Sequence, residues 1–184
     1  MRIYVPATLD ELDAVTHAPD AARWTIAPRR AHAVTKELEA ALPEEDAESL
    51  EYVAALNAAD DSLALIAGRA DAPHQRVIIT VEVPDAVVAP ADGDVPDDDD
   101  PVASEIQVTG TVEGVAIVCV HVDEPDAATD IADVLAAADE ESDSEDVSGV
   151  NEEAESALDE ALQRVTDRDL LWYDWSEIKN VPRA

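Results

Sequence analysis

The feature that most constrains this chain is a long stretch without positive charge. From Val77 to Gln163 the sequence has 26 Asp and Glu residues and no Lys or Arg, so all 11 Lys and Arg lie outside it. Acidic runs of this kind are usually solvated faces or loops. The core must therefore come from the Val, Leu, Ile and Ala segments between them, packed around a few Trp and Tyr side chains in a chain without Phe.

The net charge of −33 also limits the partners. A field of this sign repels phosphate backbones and anionic lipid headgroups. We therefore expect no nucleic acid and no membrane among the partners. The simpler explanation of the charge is solubility, or adaptation to a salty or acidic milieu.

Length and cysteine content favour one domain in the cytoplasm. The 184 residues are enough for a single core, and we expect one α+β domain over 1–184. Cys119 is the single cysteine, so an internal disulfide is impossible and a buried thiol is expected. The N-terminus lacks the apolar stretch of a signal peptide, and no segment is apolar enough for a membrane span.

Helical periodicity is clearest in the first half of the chain. Thr8 and Glu11 form a capping-box pattern after a predicted strand at Arg2 to Pro6. A helix is predicted from Lys36 to Ala67, capped by Thr35 and interrupted near Pro43. Its second part has an apolar stripe that we expect to face the core, formed by Tyr52, Leu56, Ala59, Leu63 and Ile66.

Further patterns predict a mainly antiparallel sheet of four to five strands with helices packed on it. Arg76 to Val83 alternates as a half-exposed strand, and Val112 to Val122 is apolar at both parities, as in a central strand. Glu105 to Thr109 and Leu170 to Trp175 add short strands, and two amphipathic helices lie between the last two strands. This order fits a ferredoxin-like plan.

Two acidic stretches are predicted to be disordered loops within the domain. They are 85–104, which has four prolines counting Pro84, and 139–149. Both have too few large apolar residues to offset the entropy of ordering.

Several segments together resemble an uncharacterised actinobacterial protein family, a domain of unknown function. They are the opening M-R-I-Y-V-P-A-T-L-D-E-L, the A-V-T at Ala33, the L-E-Y around Tyr52, the run V-A-I-V-C-V-H-V-D-E-P from Val115, and the closing D-L-L-W-Y-D from Asp169. The resemblance implies a bacterial, cytoplasmic, single-domain protein. It supplies no activity, cofactor or site residue.

Motifs of known chemistry are missing from the sequence. The five glycines are too scattered for a nucleotide-binding loop or a nucleophile elbow. The sequence has no C-x-x-C, no H-E-x-x-H and no EF-hand loop, so we expect no metal and no cofactor.

Three groups of residues are candidates for a site. The first is His121 with Asp123 and Glu124 at the end of the central strand, where an imidazole beside carboxylates could act as a base. On the parity of Ile117 and Cys119, however, His121 is more simply a packed residue with one ring nitrogen hydrogen-bonded.

The other two groups lie near the ends of the chain. Arg29 and Arg30, with His32 nearby, could bind a carboxylate or phosphate ligand or pair with the protein's own acids. Trp172, Tyr173 and Trp175 could form a protein-binding patch, with Trp172 on one strand face and the other two on the opposite face. In a chain without Phe, at least one of these faces is more simply the aromatic anchor of the core.

The sequence leaves two functions open. The first is a non-catalytic cytoplasmic binding or regulatory module with a protein partner, for which a basic protein fits the charge. The alternative is a small-molecule-binding protein or enzyme with a pocket at the sheet end near His121. A concave pocket there favours the second and a flat surface favours the first.

Overall fold

A computed structural model of the chain describes residues 1–91, 102–145 and 152–184, with only the backbone described at 142–145 and 152–155. Nine strands in these ranges form one antiparallel sheet. They are β1 (Arg2–Thr8), β2 (Thr16–His17), β3 (Ala22–Ile26), β4 (Arg29–His32), β5 (Arg76–Glu82), β6 (Val88–Pro90), β7 (Glu105–Val108), β8 (Val112–Val122) and β9 (Leu171–Asp174). Four α-helices accompany them: α1 (Lys36–Ala41), α2 (Ala47–Ala67), α3 (Ala127–Glu145) and α4 (Glu152–Thr166).

The α+β class is confirmed, and the prediction of four to five strands is wrong. The sheet order is β2-β3-β8-β5-β1-β4-β7-β6, and β9 pairs with β8 off this path. The additional strands have two to five residues and lie in segments whose prolines and acids suggested irregular structure, so their periodicity was too short to detect. A ferredoxin-like topology is not confirmed, because β1 and β5 flank α2 in sequence yet pair directly and antiparallel.

The sheet is strongly curved, as the connection between β3 and β4 requires. Three strands separate β3 from β4 in the sheet, a distance of about 19 Å if the sheet were flat. Only two residues join them in the chain, and the step from Ile26 to Arg29 spans at most about 11 Å. The sheet therefore bends until these strands approach each other across its concave side.

The concave side encloses the main core. Its buried side chains come from six strands, among them Ile3, Val5, Trp24, Val81, Val108 and Val120. Two short 3-10 helices, Leu9–Ala14 and Trp175–Asn180, add Leu12 and Ile178 to this core. The predicted capping box of Thr8 and Glu11 is confirmed, and it begins the first of them.

Helices cover the convex side, where α2 packs on β1, β5 and β4. The interruption near Pro43 and the Thr35 cap are confirmed. The predicted stripe of α2 is wrong at two positions, because Tyr52 and Leu56 are 60% and 39% exposed. The helix instead buries small residues, including Ala54, Ala58 and Ser62, which let it approach the sheet closely. Ser62 donates to the Ala7 carbonyl and accepts from the Val77 amide.

Helices α3 and α4 pack on each other and on the end of α2. Ile131 and Val134 of α3 contact Ala161 and Val165 of α4 in a small separate core that includes Ile66. Arg164 bonds Asp130 and Asp133 across the pair. No helix among the described residues is long and apolar enough to cross a membrane.

The two predicted loops are only partly described. Residues 92–101 and 146–151 lie outside the described residues. At the flanks the chain is ordered: β6 pairs with β7, Ser104 is fully buried, and α3 continues to Glu145.

Candidate functional site

A β-bulge in β8 decides which side chains reach the convex face. Thr80 pairs with Cys119 and Val81 pairs with Ile117, so Val118 is an extra residue opposite β5. Ile117 faces the concave core, and two residues beyond the bulge Val120 does so too. Cys119 and His121 consequently point to the convex face, beside Thr80 and Ile78 of β5.

The helical layer leaves a gap over this part of the sheet, which forms a groove between α2 and β9. Two adjoining cavities of about 310 and 260 Å³ make up the groove, and both are lined by Tyr52, Ala55, His121 and Trp172. The larger one continues to Arg168 and Asp169 after α4. The smaller continues over Thr80 and Cys119 to the charged residues Arg2, Glu48 and Glu51.

Two residues that line this groove each have a side-chain polar atom without a hydrogen-bond partner in the described part of the chain. These atoms are Nδ1 of His121 and Oγ1 of Thr80, and both atoms are buried. Thr80 is only 2% exposed as a residue. An unsatisfied buried polar atom costs about 1–3 kcal/mol. The Nδ1 atom therefore does not form the hydrogen bond within the protein that the sequence predicts for one ring nitrogen of His121.

Desolvation keeps His121 neutral at ordinary pH. Burial lowers the pKa of His121 below its usual value, because the charged imidazolium loses hydration. A neutral imidazole offers one donor and one acceptor nitrogen. The Nδ1 atom of His121 can therefore donate or accept one hydrogen bond, depending on the tautomer.

The walls of the groove are aromatic. Tyr52 from α2 and Trp172 from β9 are 60% and 58% exposed. Trp172 is held opposite His121 by the pairing of β9 with β8. The predicted division of the aromatic cluster is confirmed, since Tyr173 and Trp175 pack against the concave core while Trp172 does not.

Asp123 does not join His121. Its carboxylate is buried against Arg76, with Oδ2 accepting from Arg76 Nε at 2.9 Å and Oδ1 from Nη2 at 2.8 Å. Oδ2 also accepts from the Arg76 backbone amide at 2.9 Å. Glu124 is exposed beyond the strand. The predicted cluster of His121, Asp123 and Glu124 is therefore not assembled, because Arg76, the first residue of the strand predicted to be half exposed, is buried and takes the carboxylate.

The arginine pair is occupied by the protein's own acids. Arg29 makes two bonds to Glu11, of 2.6 and 3.2 Å, and its guanidinium lies 5.8 Å from the ring centroid of Trp24. Arg30 pairs with Glu105 at 2.9 Å. Both arginines line a separate cavity of about 370 Å³.

His32 belongs to a buried hydrogen-bond chain. Its Nε2 lies 3.2 Å from Asp61 Oδ2 and its Nδ1 lies 2.8 Å from Ser104 Oγ, which also accepts from Asn57. Because a carboxylate only accepts, Nε2 donates to Asp61, and in the neutral imidazole Nδ1 then accepts from the Ser104 hydroxyl. The order serine, histidine, carboxylate is that of a nucleophilic triad. Ser104 is 0% exposed, however, so the chain is structural and ties β7 to β4 and α2.

Sequence reasoning missed the two residues that shape the groove most. Helical spacing predicts that Tyr52 faces the core, and the half-exposed strand predicted from Arg76 to Val83 does not indicate that Thr80 is buried. The only sign in the sequence that Thr80 is buried is its position inside the apolar run V-I-I-T-V. The described residues contain no cluster of His, Cys, Asp and Glu suited to a metal ion.

Comparison with known proteins gives a family and no activity. No curated protein and no solved structure matches the chain. One family model covers residues 1–181, which is nearly the whole chain. This protein belongs to that family, a family of unknown function (DUF6912).

Proposed function

We propose that the protein is a non-catalytic binding protein whose groove between α2 and β9 takes a small planar organic molecule. The observation that carries the proposal is the pair of unsatisfied atoms on the groove floor, His121 Nδ1 and Thr80 Oγ1. Buried polar groups in folded proteins nearly always have partners. Both atoms have almost no solvent-accessible surface in the free protein. A ligand in the groove would therefore supply the missing partners once the side chains that cover these atoms move aside.

Size and lining support a small molecule. The two adjoining cavities, of about 310 and 260 Å³, together fall in the range of small-ligand sites. Apolar walls with a few converging polar groups are typical of such sites. The flat rings of Tyr52 and Trp172 favour a planar ligand, because aromatic pairs gain from offset or edge contacts.

Binding is favoured over catalysis by the position of Asp123. A general base is usually oriented by a third group, and the nearest predicted candidate is held by Arg76 instead. His121 therefore serves this proposal as a hydrogen-bonding group. A cytoplasmic location remains a prediction from the sequence.

A fragment screen tests the proposal. Saturation-transfer NMR of neutral, cationic and anionic planar fragments should give hits that Trp172→Ala and Thr80→Val each weaken. Leu171→Ala is the matched control, because Leu171 is 38% exposed on the same strand and does not line the two cavities. A screen without hits, or hits that bind Trp172→Ala as well as the parent, would overturn the proposal.

A basic protein partner is the second candidate. The exposed side chains around the groove include Leu56, Val118 and Trp172, and the surrounding charge is strongly acidic. Binding of a protein that covers the whole groove would be weakened by added salt and by Val118→Ala as well as by Trp172→Ala. Affinity capture from the native lysate at low and high salt, repeated with both variants, distinguishes this partner from a small ligand.

A further inference from the structure

At both ends of the groove the positive side chains are paired with carboxylates of the protein. Arg2 pairs with Glu51 at 3.1 Å and with Glu82 at 3.4 Å. At the opposite end Arg168 pairs with Asp130 at 2.6 Å. The positive charges that line the groove are thus already neutralised by the protein's own carboxylates.

Two carboxylates that line the groove have no such partner. Glu48 lies at the smaller cavity and Asp169 at the larger, and both residues are exposed. Within the described ranges neither side chain forms an ion pair. Each end of the groove therefore presents one carboxylate without an ion-pair partner, in a protein whose total field is also negative. Glu48 lies in the first turn of α2, where the helix dipole offsets only part of its charge.

The aromatic walls act in the same direction. The faces of Trp and Tyr attract cations within about 6 Å, with energies of about 0.5–2 kcal/mol depending on solvent exposure. Tyr52 and Trp172 line both cavities, between the two free carboxylates. A positively charged ring between these walls would gain stacking, cation–π attraction and Coulomb attraction together.

We infer that the groove selects planar organic cations over neutral and anionic molecules of the same shape. This inference rests on the proposed binding function and names the class of its ligand. The hydrogen-bonding groups at the floor, Thr80 Oγ1 and His121 Nδ1, would fix the ring's orientation, and the carboxylates of Glu48 and Asp169 would set the charge preference.

Three probes of similar shape test the inference: N-methylquinolinium, quinoline at pH 8 where it is neutral, and 2-naphthoate. Binding is followed by chemical-shift changes of the Thr80 and His121 amides at low ionic strength. We expect the cation to bind about tenfold more tightly than quinoline, and 2-naphthoate to bind most weakly.

Charge-neutral variants then assign the preference to the groove. Glu48→Gln and Asp169→Asn should each weaken the cation about threefold and leave quinoline unchanged. Glu113→Gln removes the same charge from the exposed start of β8 and should change neither. Equal binding of cation and quinoline, or equal effects of all three variants on the cation, would overturn the inference while leaving the binding function intact. If none of the probes binds, the inference is overturned, and a fragment screen without hits would overturn the proposed function as well.

Discussion

The buried ion pair between Arg76 and Asp123 gives the sharpest test of how this fold is held together. The two side chains are 3% and 0% exposed, and three hydrogen bonds join the residues. Arg76→Met would leave the Asp123 carboxylate buried without its cation. Removing one member of a buried pair costs about 3–5 kcal/mol, because the remaining charge stays desolvated. Asp123→Leu should cost a similar amount.

The double variant separates pairing from packing. Additive effects would sum to about 6–10 kcal/mol. Removing both charges avoids a stranded ion, so the expected loss is much smaller. It does not vanish, because the Arg76 amide loses the Asp123 Oδ2 acceptor, and a buried amide without a partner costs about 1–3 kcal/mol. We therefore expect a coupling energy of about 5 kcal/mol.

Urea unfolding of the parent, both single variants and the double variant, followed by circular dichroism, measures these four free energies of unfolding. Where a single variant is too unstable to fold in dilute buffer, a stabilising osmolyte applied to all four proteins keeps the cycle measurable. Additive losses, or a single variant within 1 kcal/mol of the parent, would show that the pair is not the buried unit described above.

Two further substitutions have expected outcomes. His121→Leu should leave the free energy of unfolding unchanged or raise it by about 1 kcal/mol, because it removes an unsatisfied nitrogen. Since burial lowers the pKa of His121, the parent protein loses stability as the pH falls through about 6.5, and the advantage of the variant should grow between pH 7.5 and pH 5.5. Urea unfolding at both pH values measures this trend, and a constant difference between the two proteins would contradict it. Gly114→Ala should cost about 1–2 kcal/mol in thermal unfolding because Gly114 has φ 64°, whereas Gly110→Ala, with equally open surroundings, should stay near the parent; equal effects would show that backbone conformation is not the cause.

Local sequence rules determined much of the secondary structure. The bounds of β8 agree with its apolar run from Val112 to Val122, and Thr35 and Thr8 begin their helices as their side chains predict. These features depend on neighbours within a few residues, so a sequence pattern can specify them. The exposed and packed faces of Trp172 and Tyr173 follow from strand alternation for the same reason.

The groove was decided by the tertiary structure. Alternation placed His121 on the parity of Ile117, but one extra residue at Val118 moved it to the opposite face of the sheet. Spacing assigned Tyr52 to the core, but the close approach of α2 through Ala54 and Ala58 turned the helix so that Tyr52 faces the groove. Asp123 is only two positions from His121 in the sequence, yet pairing of β5 with β8 gave it Arg76 as a partner. A sequence pattern fixes the order of side chains along a strand or helix, whereas bulges, helix rotation and strand register depend on contacts between residues far apart in the chain, and those contacts placed Tyr52, Thr80, His121 and Trp172 around one groove.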